Sequence, residues 1–174
     1  MFLDREALKK LALWCVGKRR CLEELLAEAT QPYEAPPVDS TPIIVRIKDV
    51  KRVEELCAGW TTYSKCISAA VYTALRGLQT TVEKMAHISV RLPLAEWRAV
   101  DRRRGGKKLQ YFVEELIEAA ERVDMSYLNW RGAPRRLYLS PRHVEMLVEK
   151  CEISTFKQWA GKCVNALLRQ TCLQ

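Results

Sequence analysis

Apolar and polar residues alternate with a period of two at three places in this chain. In the clearest of them, Ile88, Val90 and Leu92 alternate with polar residues. Residues 43–47 and 136–139 show the same alternation. Such a pattern is typical of a half-buried strand. Each alternating segment is followed by apolar residues at helical spacing, so the pattern predicts a strand and two helices that recur along the chain.

The copy at residues 87–123 shows the predicted elements most clearly. Pro93 ends its strand, because proline has no N–H for the ladder and its fixed φ suits the first turn of a helix. Three apolar residues then follow on one predicted helix face: Leu94, Trp97 and Val100. Gly105–Gly106 ends that helix. A second helix is predicted to begin near Leu109, with the buried positions Phe112, Val113, Leu116, Ile117 and Ala120.

Two further copies, at residues 42–78 and 135–170, repeat this order. Asp49 is predicted to cap the first helix of one copy. Ser140 followed by Pro141 marks the start of the first helix in the other. The second helices are each predicted to begin at a hydroxyl cap, which would be Thr61, Thr62 or Ser64 in one copy and Ser154 or Thr155 in the other.

The copy at residues 1–30 has a truncated strand. Its first three residues are too few for a long ladder, but Asp4 is well suited to cap a helix. The run LEELLAEA beginning at Leu22 is similar to the run VEELIEAA beginning at Val113. The helical half of the repeat is therefore predicted here as well.

Two linkers of similar length predict how the four copies pair. Residues 31–41 are rich in proline, and residues 124–134 end in Gly-Ala-Pro. Both compositions are typical of extended connections. If each linker lies within a pair, copies one and two form a first domain at residues 1–78, and copies three and four form a second at residues 79–174.

The order strand, helix, tight turn, helix, with ISVRLP at its head, resembles the ribbon-helix-helix family of DNA-binding proteins. The resemblance implies a fold that is mainly α with short β-strands (α+β), in which tandem repeats form intertwined pseudo-dimers. In that family the paired strands form an antiparallel ribbon that enters the major groove of DNA. The fused copies would act as a monomer with internal pseudo-dimers, or as a homodimer of such chains.

The resemblance also implies which residues contact DNA. Strand residues that face away from the core would read base edges, by bidentate contacts from arginine and by apolar contacts with thymine methyl groups. These are Ile44, Arg46, Ser89, Arg91, Arg136 and Tyr138, with His87 as a further candidate. The N-terminus of each second helix would bind phosphate through its free N–H groups. The matching positions are Thr61, Thr62, Lys65, Lys107, Lys108, Ser154, Thr155 and Lys157.

The charge of the chain favours a polyanionic partner such as double-stranded DNA. The formal net charge is +8 over 174 residues, and excess Lys and Arg attracts DNA through Coulomb forces and counterion release. No apolar run reaches the roughly 20 residues that a membrane-spanning helix needs. The N-terminal residues also lack the apolar centre of a signal peptide. We therefore expect no membrane partner and a cytoplasmic, nucleoid-associated location.

The seven cysteines leave three interpretations open. They can be small core residues at helix contacts, or they can form disulfides within the repeats, as in intracellular proteins of hyperthermophiles. Zinc is the third interpretation, but the chain has no CxxC pair and its two histidines lack ligand spacing. The candidate disulfides are Cys15 with Cys21, Cys57 with Cys66, and Cys151 with Cys163.

No motif of an enzyme occurs in the sequence. There is no glycine-rich phosphate loop, no HExxH and no nucleophile motif, so no catalytic residue, cofactor, metal or small-molecule substrate is predicted. The predicted function is sequence-specific binding of double-stranded DNA, as in a transcriptional repressor. The alternatives are a helical-repeat scaffold for protein interactions and a non-specific architectural DNA-binding protein. A helix-turn-helix regulator would leave the alternating strands unexplained.

Overall fold

The structure is a computed structural model that describes residues 1–36, 40–78 and 84–173. Helices and two small antiparallel sheets make up the fold, which confirms the predicted α+β class. The chain divides into two compact units: Met1–Thr81 with Ser154–Lys157, and Val82–Ile153 with Gln158–Gln174. The predicted domain boundary lies after residue 78, and the residues that follow it, 79–83, are outside the described residues. Residues 37–39 of the predicted first linker are outside them as well.

The first unit contains two very short strands and four helices in its described part. In chain order these are β1 (Phe2–Leu3), α1 (Arg5–Cys15), α2 (Cys21–Ala27), β2 (Thr41–Pro42), α3 (Val50–Leu56) and α4 (Tyr63–Arg76). Strands β1 and β2 pair antiparallel, with Phe2 opposite Pro42. The core is formed by apolar residues from all four helices, among them Leu11, Leu25, Leu56 and Val71.

Side-chain caps begin three of these helices where the sequence predicts them. The carboxylate of Asp4 accepts a hydrogen bond from Ala7 N at 3.0 Å, and that of Asp49 accepts one from Arg52 N at 3.0 Å. At α4 the hydroxyl of Thr62 accepts a hydrogen bond from Lys65 N at 3.4 Å. These local bonds satisfy helix N–H groups that have no partner in the first turn.

The strand predicted at residues 43–47 is shorter than its alternation indicates. Burial still alternates there, since Ile43 is buried and Ile44 is 69% exposed. The ladder, however, ends at Pro42 apart from hydrogen bonds between Ile43 and Met1. In the antiparallel register Phe2 lies opposite Pro42 and Met1 bonds Ile43, so the pairing that the structure describes with β1 reaches no further than Ile43. Ile44 N donates instead to Ser154 O at 3.2 Å on the other edge of the segment.

The second unit contains one longer ribbon and four helices in its described part. In chain order these are β3 (Ala86–Leu92), α5 (Leu94–Arg104), α6 (Leu109–Ala119), a 3₁₀ turn at Met125–Tyr127, β4 (Ala133–Leu139), α7 (Pro141–Lys150) and α8 (Trp159–Cys172). Strands β3 and β4 pair antiparallel over seven residues each. Trp97, Val113, Leu147 and Leu167 lie in the core beneath the ribbon, each almost fully buried.

Two sequence expectations for the helices of the second unit are wrong. Leu94 is 59% exposed, although its spacing placed it on the buried face of α5. The last helix begins at Trp159, so neither Ser154 nor Thr155 caps it, and Phe156 is buried outside the helix. The residue before the helix is Gln158, whose φ of 56° is left-handed. No hydrogen bond from its side chain caps the helix.

Six of the seven cysteines form three pairs at disulfide distance. Each pair joins a cysteine at the end of a first helix, or directly after it, to a cysteine within the following helix. The pairs are Cys15–Cys21, Cys57–Cys66 and Cys151–Cys163, with Cα–Cα distances of 5.1, 5.7 and 6.2 Å. Cys172 is outside these pairs and is half-buried. The corresponding helices α5 and α6 of the copy at residues 87–123 contain no cysteine.

Candidate nucleic-acid interface

Four predicted base-contact residues lie together on the outer face of the ribbon β3–β4. The register pairs His87 with Tyr138, Ser89 with Arg136, and Arg91 with Pro134. All six residues are exposed except Ser89, which is half-buried. The apolar residues that alternate with them along the two strands face the core and are buried: Ile88, Val90, Leu92, Leu137 and Leu139. The alternation in the sequence therefore correctly separates the outer face of this ribbon from the inner one.

Two guanidinium groups make the outer face of the ribbon basic. Arg136 lies opposite Ser89, and Arg91 is two residues further along the other strand, a diagonal separation of about 7–8 Å. Arg91 Nη1 donates a hydrogen bond to the carbonyl oxygen of Gly132 at 3.3 Å. A guanidinium has five N–H donors, so this bond leaves donors for a base edge. None of the six outer residues is acidic.

An aromatic pair lies at the other end of the same face. The rings of His87 and Tyr138 are stacked, with centroids 4.9 Å apart and planes inclined by 27°. Tyr138 is 52% exposed even so. Sequence reasoning gave His87 only as a further candidate, because the stack depends on the strand register. The pair offers a flat apolar surface with a hydroxyl and ring nitrogens at its edge.

Arg135 anchors the ribbon from beneath, and sequence reasoning did not identify it. Its guanidinium donates two hydrogen bonds to the carboxylate of Asp101 on α5, at 2.8 and 3.0 Å, and lies over the ring of Trp97 at 4.5 Å. These hydrogen bonds lower the pKa of Asp101 from 3.8 to about 2, and Arg104 adds to the effect. The signal was present, because Arg135 is two residues before Leu137 and therefore faces inward.

The N-terminus of α6 carries the predicted phosphate contacts of this unit. Lys107 and Lys108 are both exposed and directly precede the first helical residue, Leu109. Lys108 occupies the cap position without a capping hydrogen bond from its side chain, so the first-turn N–H groups have no local side-chain cap. Lys107 is paired with Glu115 in the same helix. The free positive end of α6 and the Lys108 ammonium can together hold an anion.

The structure does not bring Ser154 and Thr155 to a helix N-terminus, whereas the exposed Lys157 directly precedes Gln158, the cap residue of α8. These residues belong to the first unit, where Thr155 forms a parallel bridge with Ile44. The start of α8 is instead buried: Trp159 is 3% exposed, and a Cβ at Gly161 would overlap the backbone oxygen of Ser89. Close packing of α8 against β3 therefore displaces the helix start from the hydroxyl residues to Gln158.

The predicted contact residues of the first unit are exposed, but two of them lie outside the short strand β2. Ile44 and Arg46 follow the end of β2 and are exposed. Thr61, Thr62 and Lys65 are exposed at the start of α4, where Thr62 is the cap. The structure places Ile44 beside Thr155 in a bridge, so this segment is not the free edge of a two-stranded ribbon.

Neither a metal site nor a membrane-spanning helix is found in the described ranges 1–36, 40–78 and 84–173. No group of three or more His, Cys, Asp or Glu side chains there is arranged to hold a metal ion. No helix there is long and apolar enough to cross a membrane. Comparison of the chain with protein-family models, with curated proteins and with solved structures finds no match.

Proposed function

We propose that this protein binds double-stranded DNA and reads its sequence with the outer face of the ribbon β3–β4. The observation that carries the proposal is the composition of that face: two arginines, a serine and a histidine–tyrosine stack, without a carboxylate. An antiparallel two-stranded ribbon fits the major groove, which is about 12 Å wide. The buried inner face and the Arg135–Asp101 pair hold the outer side chains in a fixed register.

Each part of the face has a chemical match in DNA. Arg91 and Arg136 can each donate two hydrogen bonds to guanine, and the Ser89 hydroxyl can donate or accept. The ring of Tyr138 can contact a thymine methyl group. Lys108 and the N-terminus of α6 would bind the backbone phosphate beside the groove. Ile44, Arg46, Thr61, Thr62 and Lys65 of the first unit would add a second, weaker set of contacts. A protein of this kind would act as a transcriptional regulator, most simply as a repressor.

The first experiment selects DNA from a random double-stranded pool at several salt concentrations and sequences what is retained. We expect a recovered motif and an affinity that falls steeply with salt. Salt-sensitive binding without a motif would instead identify a non-specific architectural DNA-binding protein. Absence of binding at moderate salt would favour the helical scaffold.

Alanine substitutions on the ribbon then test the mechanism with the selected site. Arg91→Ala or Arg136→Ala should weaken specific binding by about 1–3 kcal/mol, which is roughly 5- to 150-fold, because each removes one bidentate base contact. Arg122→Ala is the matched control, since its exposed ion pair with Glu152 lies beyond the C-terminus of α6. Affinity equal to the parent in both ribbon variants, with the fold intact by circular dichroism, would remove the ribbon from the mechanism.

A further inference from the structure

The strands β3 and β4 occupy equivalent places in two successive strand–helix–helix copies. Each strand has seven residues and is separated by a single residue from the helix that follows it, α5 after β3 and α7 after β4. Counted along each strand, the outward residues are the second, the fourth and the sixth. The two fourth residues, Ser89 and Arg136, lie directly opposite each other. An approximate two-fold axis through this pair therefore relates one strand to the other.

The side chains that this axis would exchange differ at both ends of the ribbon. The sixth residues are Arg91 in β3 and Tyr138 in β4. Because the strands are antiparallel, Arg91 lies opposite Pro134 at one end. Tyr138 lies opposite His87 at the other end, where the two rings are stacked with centroids 4.9 Å apart. One end therefore presents a guanidinium, and the other presents a pair of aromatic rings.

The backbone at the two ends differs as well. Gly132, directly before β4, has a φ of 89°, and a Cβ there would lie 2.3 Å from the carbonyl oxygen of Leu92. This close approach places the carbonyl oxygen of Gly132 within 3.3 Å of Arg91 Nη1, which donates a hydrogen bond to it. The equivalent residue before β3 is Met85, whose side chain is 45% exposed. A glycine contact thus orients the arginine at one end, and the other end has a different backbone neighbour.

The centre of the outer face is asymmetric too. The axis through the central pair would carry the guanidinium of Arg136 onto the hydroxyl of Ser89. The inward neighbours also differ, because Arg135 of β4 donates to Asp101 at 2.8 Å, whereas the equivalent Ile88 of β3 is apolar and buried. The central cation therefore belongs to β4, the strand that an ion pair anchors to α5.

We propose that the DNA site contacted by one chain through this ribbon is asymmetric and is bound in a single orientation. Arg136 would contact a guanine near the centre and Arg91 a guanine at one end, whereas Tyr138 would contact a thymine methyl group at the other end. The positions of Arg91 and Tyr138 along the ladder are four residues apart, which is about 14 Å at about 3.4 Å per residue. Since DNA rises about 3.4 Å per base pair, the end contacts would lie no more than about four base pairs apart. The inference rests on the proposed DNA binding.

A palindromic site would suit this ribbon poorly. The two-fold axis of such a site presents identical base edges to equivalent side chains, so Arg91 and Tyr138 would meet the same base. Arginine matches the two acceptors of guanine, and the tyrosine ring matches the methyl group that only thymine has. One of the two end contacts would therefore be lost in any palindrome.

The random-pool selection with the full chain tests the asymmetry directly. Sedimentation gives the number of chains per site, and the motif assigned to one chain should differ from its own reverse complement. A site that duplicates the thymine end should bind at least about five-fold more weakly than the selected site, because Arg91 loses its guanine. A site that duplicates the guanine end should bind about four-fold more weakly, because Tyr138 loses a methyl contact.

Two substitutions then assign the ends. In Arg91→Ala the selected site and the site that duplicates the thymine end should bind equally within about two-fold, because the side chain that distinguishes them is gone. In Tyr138→Ala the preference for thymine over uracil at the other end should disappear. Tyr138→Phe is the matched control, since it keeps the ring and should keep that preference.

The double exchange Arg91→Tyr with Tyr138→Arg tests the orientation. We expect this variant to prefer a site whose two end base pairs are exchanged, because the guanidinium and the ring have changed places. If the double variant does not fold by circular dichroism, the two symmetric sites on the parent protein decide the question.

The outcomes separate this inference from the proposed function. A one-chain motif identical to its reverse complement, or a double variant that keeps the orientation of the parent, would overturn the asymmetry and leave DNA binding in place. Absence of DNA binding at moderate salt would refute the proposed function, and this inference with it.

Discussion

The two strand pairs of this protein begin from similar sequence patterns and differ in length and in the chemistry of their outer faces. In the second unit each strand contributes seven residues, and the outer face is polar and basic. In the first unit each strand contributes two. The exposed residues there include Phe2 and Ile44. Alternation within one strand decides which of its side chains face outward. The length of the strand that pairs with it decides how far the ladder extends.

The difference in length also bears on the DNA reading that we propose for the second unit. The seven-residue ladder holds Arg91 and Arg136 in a fixed register, as the proposed reading of base edges requires, and Arg135 adds an anchor to α5.

Reduction of the cysteine pairs should produce the largest difference between the units. The first unit contains two pairs, separated by 6 and 9 residues, and the second contains one, separated by 12. Loop-closure entropy then predicts losses in the free energy of unfolding of about 5 and about 3 kcal/mol, respectively. Hydrogen exchange measured by mass spectrometry, with and without a reductant, reports each unit separately. Without reductant the denatured chain should show one reactive thiol, from Cys172. Seven reactive thiols would show that the pairs are not bonded.

Gly161→Ala should damage the second unit alone. Alanine is the better helix former by about 1 kcal/mol, but its Cβ would overlap the backbone oxygen of Ser89. We expect the free energy of unfolding of this unit to fall by about 1–3 kcal/mol, because α8 and β3 must separate. Gly106→Ala is the control, since a Cβ there meets no atom within 4 Å. Equal stability of the two variants in chemical denaturation would show that the contact between α8 and β3 is looser than described.

Asp101→Asn should have the smallest effect and a distinctive pH dependence. The Asp101 and Arg135 side chains are each 34% exposed, so solvent screening limits the loss to at most about 1 kcal/mol at neutral pH. The pKa of Asp101 is lowered to about 2 in the folded protein. Its contribution to stability is therefore complete above about pH 4 and disappears as the pH falls toward 2.

Melting temperatures of the parent and of Asp101→Asn should accordingly converge between pH 4 and pH 2. Parallel curves over this range would contradict the assignment of the low pKa to Asp101. Glu152→Gln is a suitable control, because its ion pair with Arg122 is 74% exposed on both sides and should contribute little at any pH.

The sequence by itself determined those features that depend on neighbours along the chain. Asp4, Asp49 and Ser140 cap their helices as their positions predict, and Thr62 caps α4 as one of the three hydroxyl candidates, because a cap bonds N–H groups only two or three residues away. The alternation from Ile88 to Leu92 assigned the inner and outer faces of β3, because successive side chains of any strand point to opposite sides. The outward position of Ser89, Arg91, Arg136 and Tyr138 could therefore be predicted from the sequence.

Only the tertiary structure decided features that depend on contacts distant in sequence. The start of α8 moved from Ser154 to Trp159, because the first turn of that helix packs against β3. The segment 43–47 was expected to form a strand, but its pairing with β1 reaches only Ile43, and Ile44 bonds Ser154 from a distant part of the chain. The His87–Tyr138 stack required the register between two strands. In each case a residue far along the chain either occupied a space or left it open, and a local pattern contains no information about such a residue.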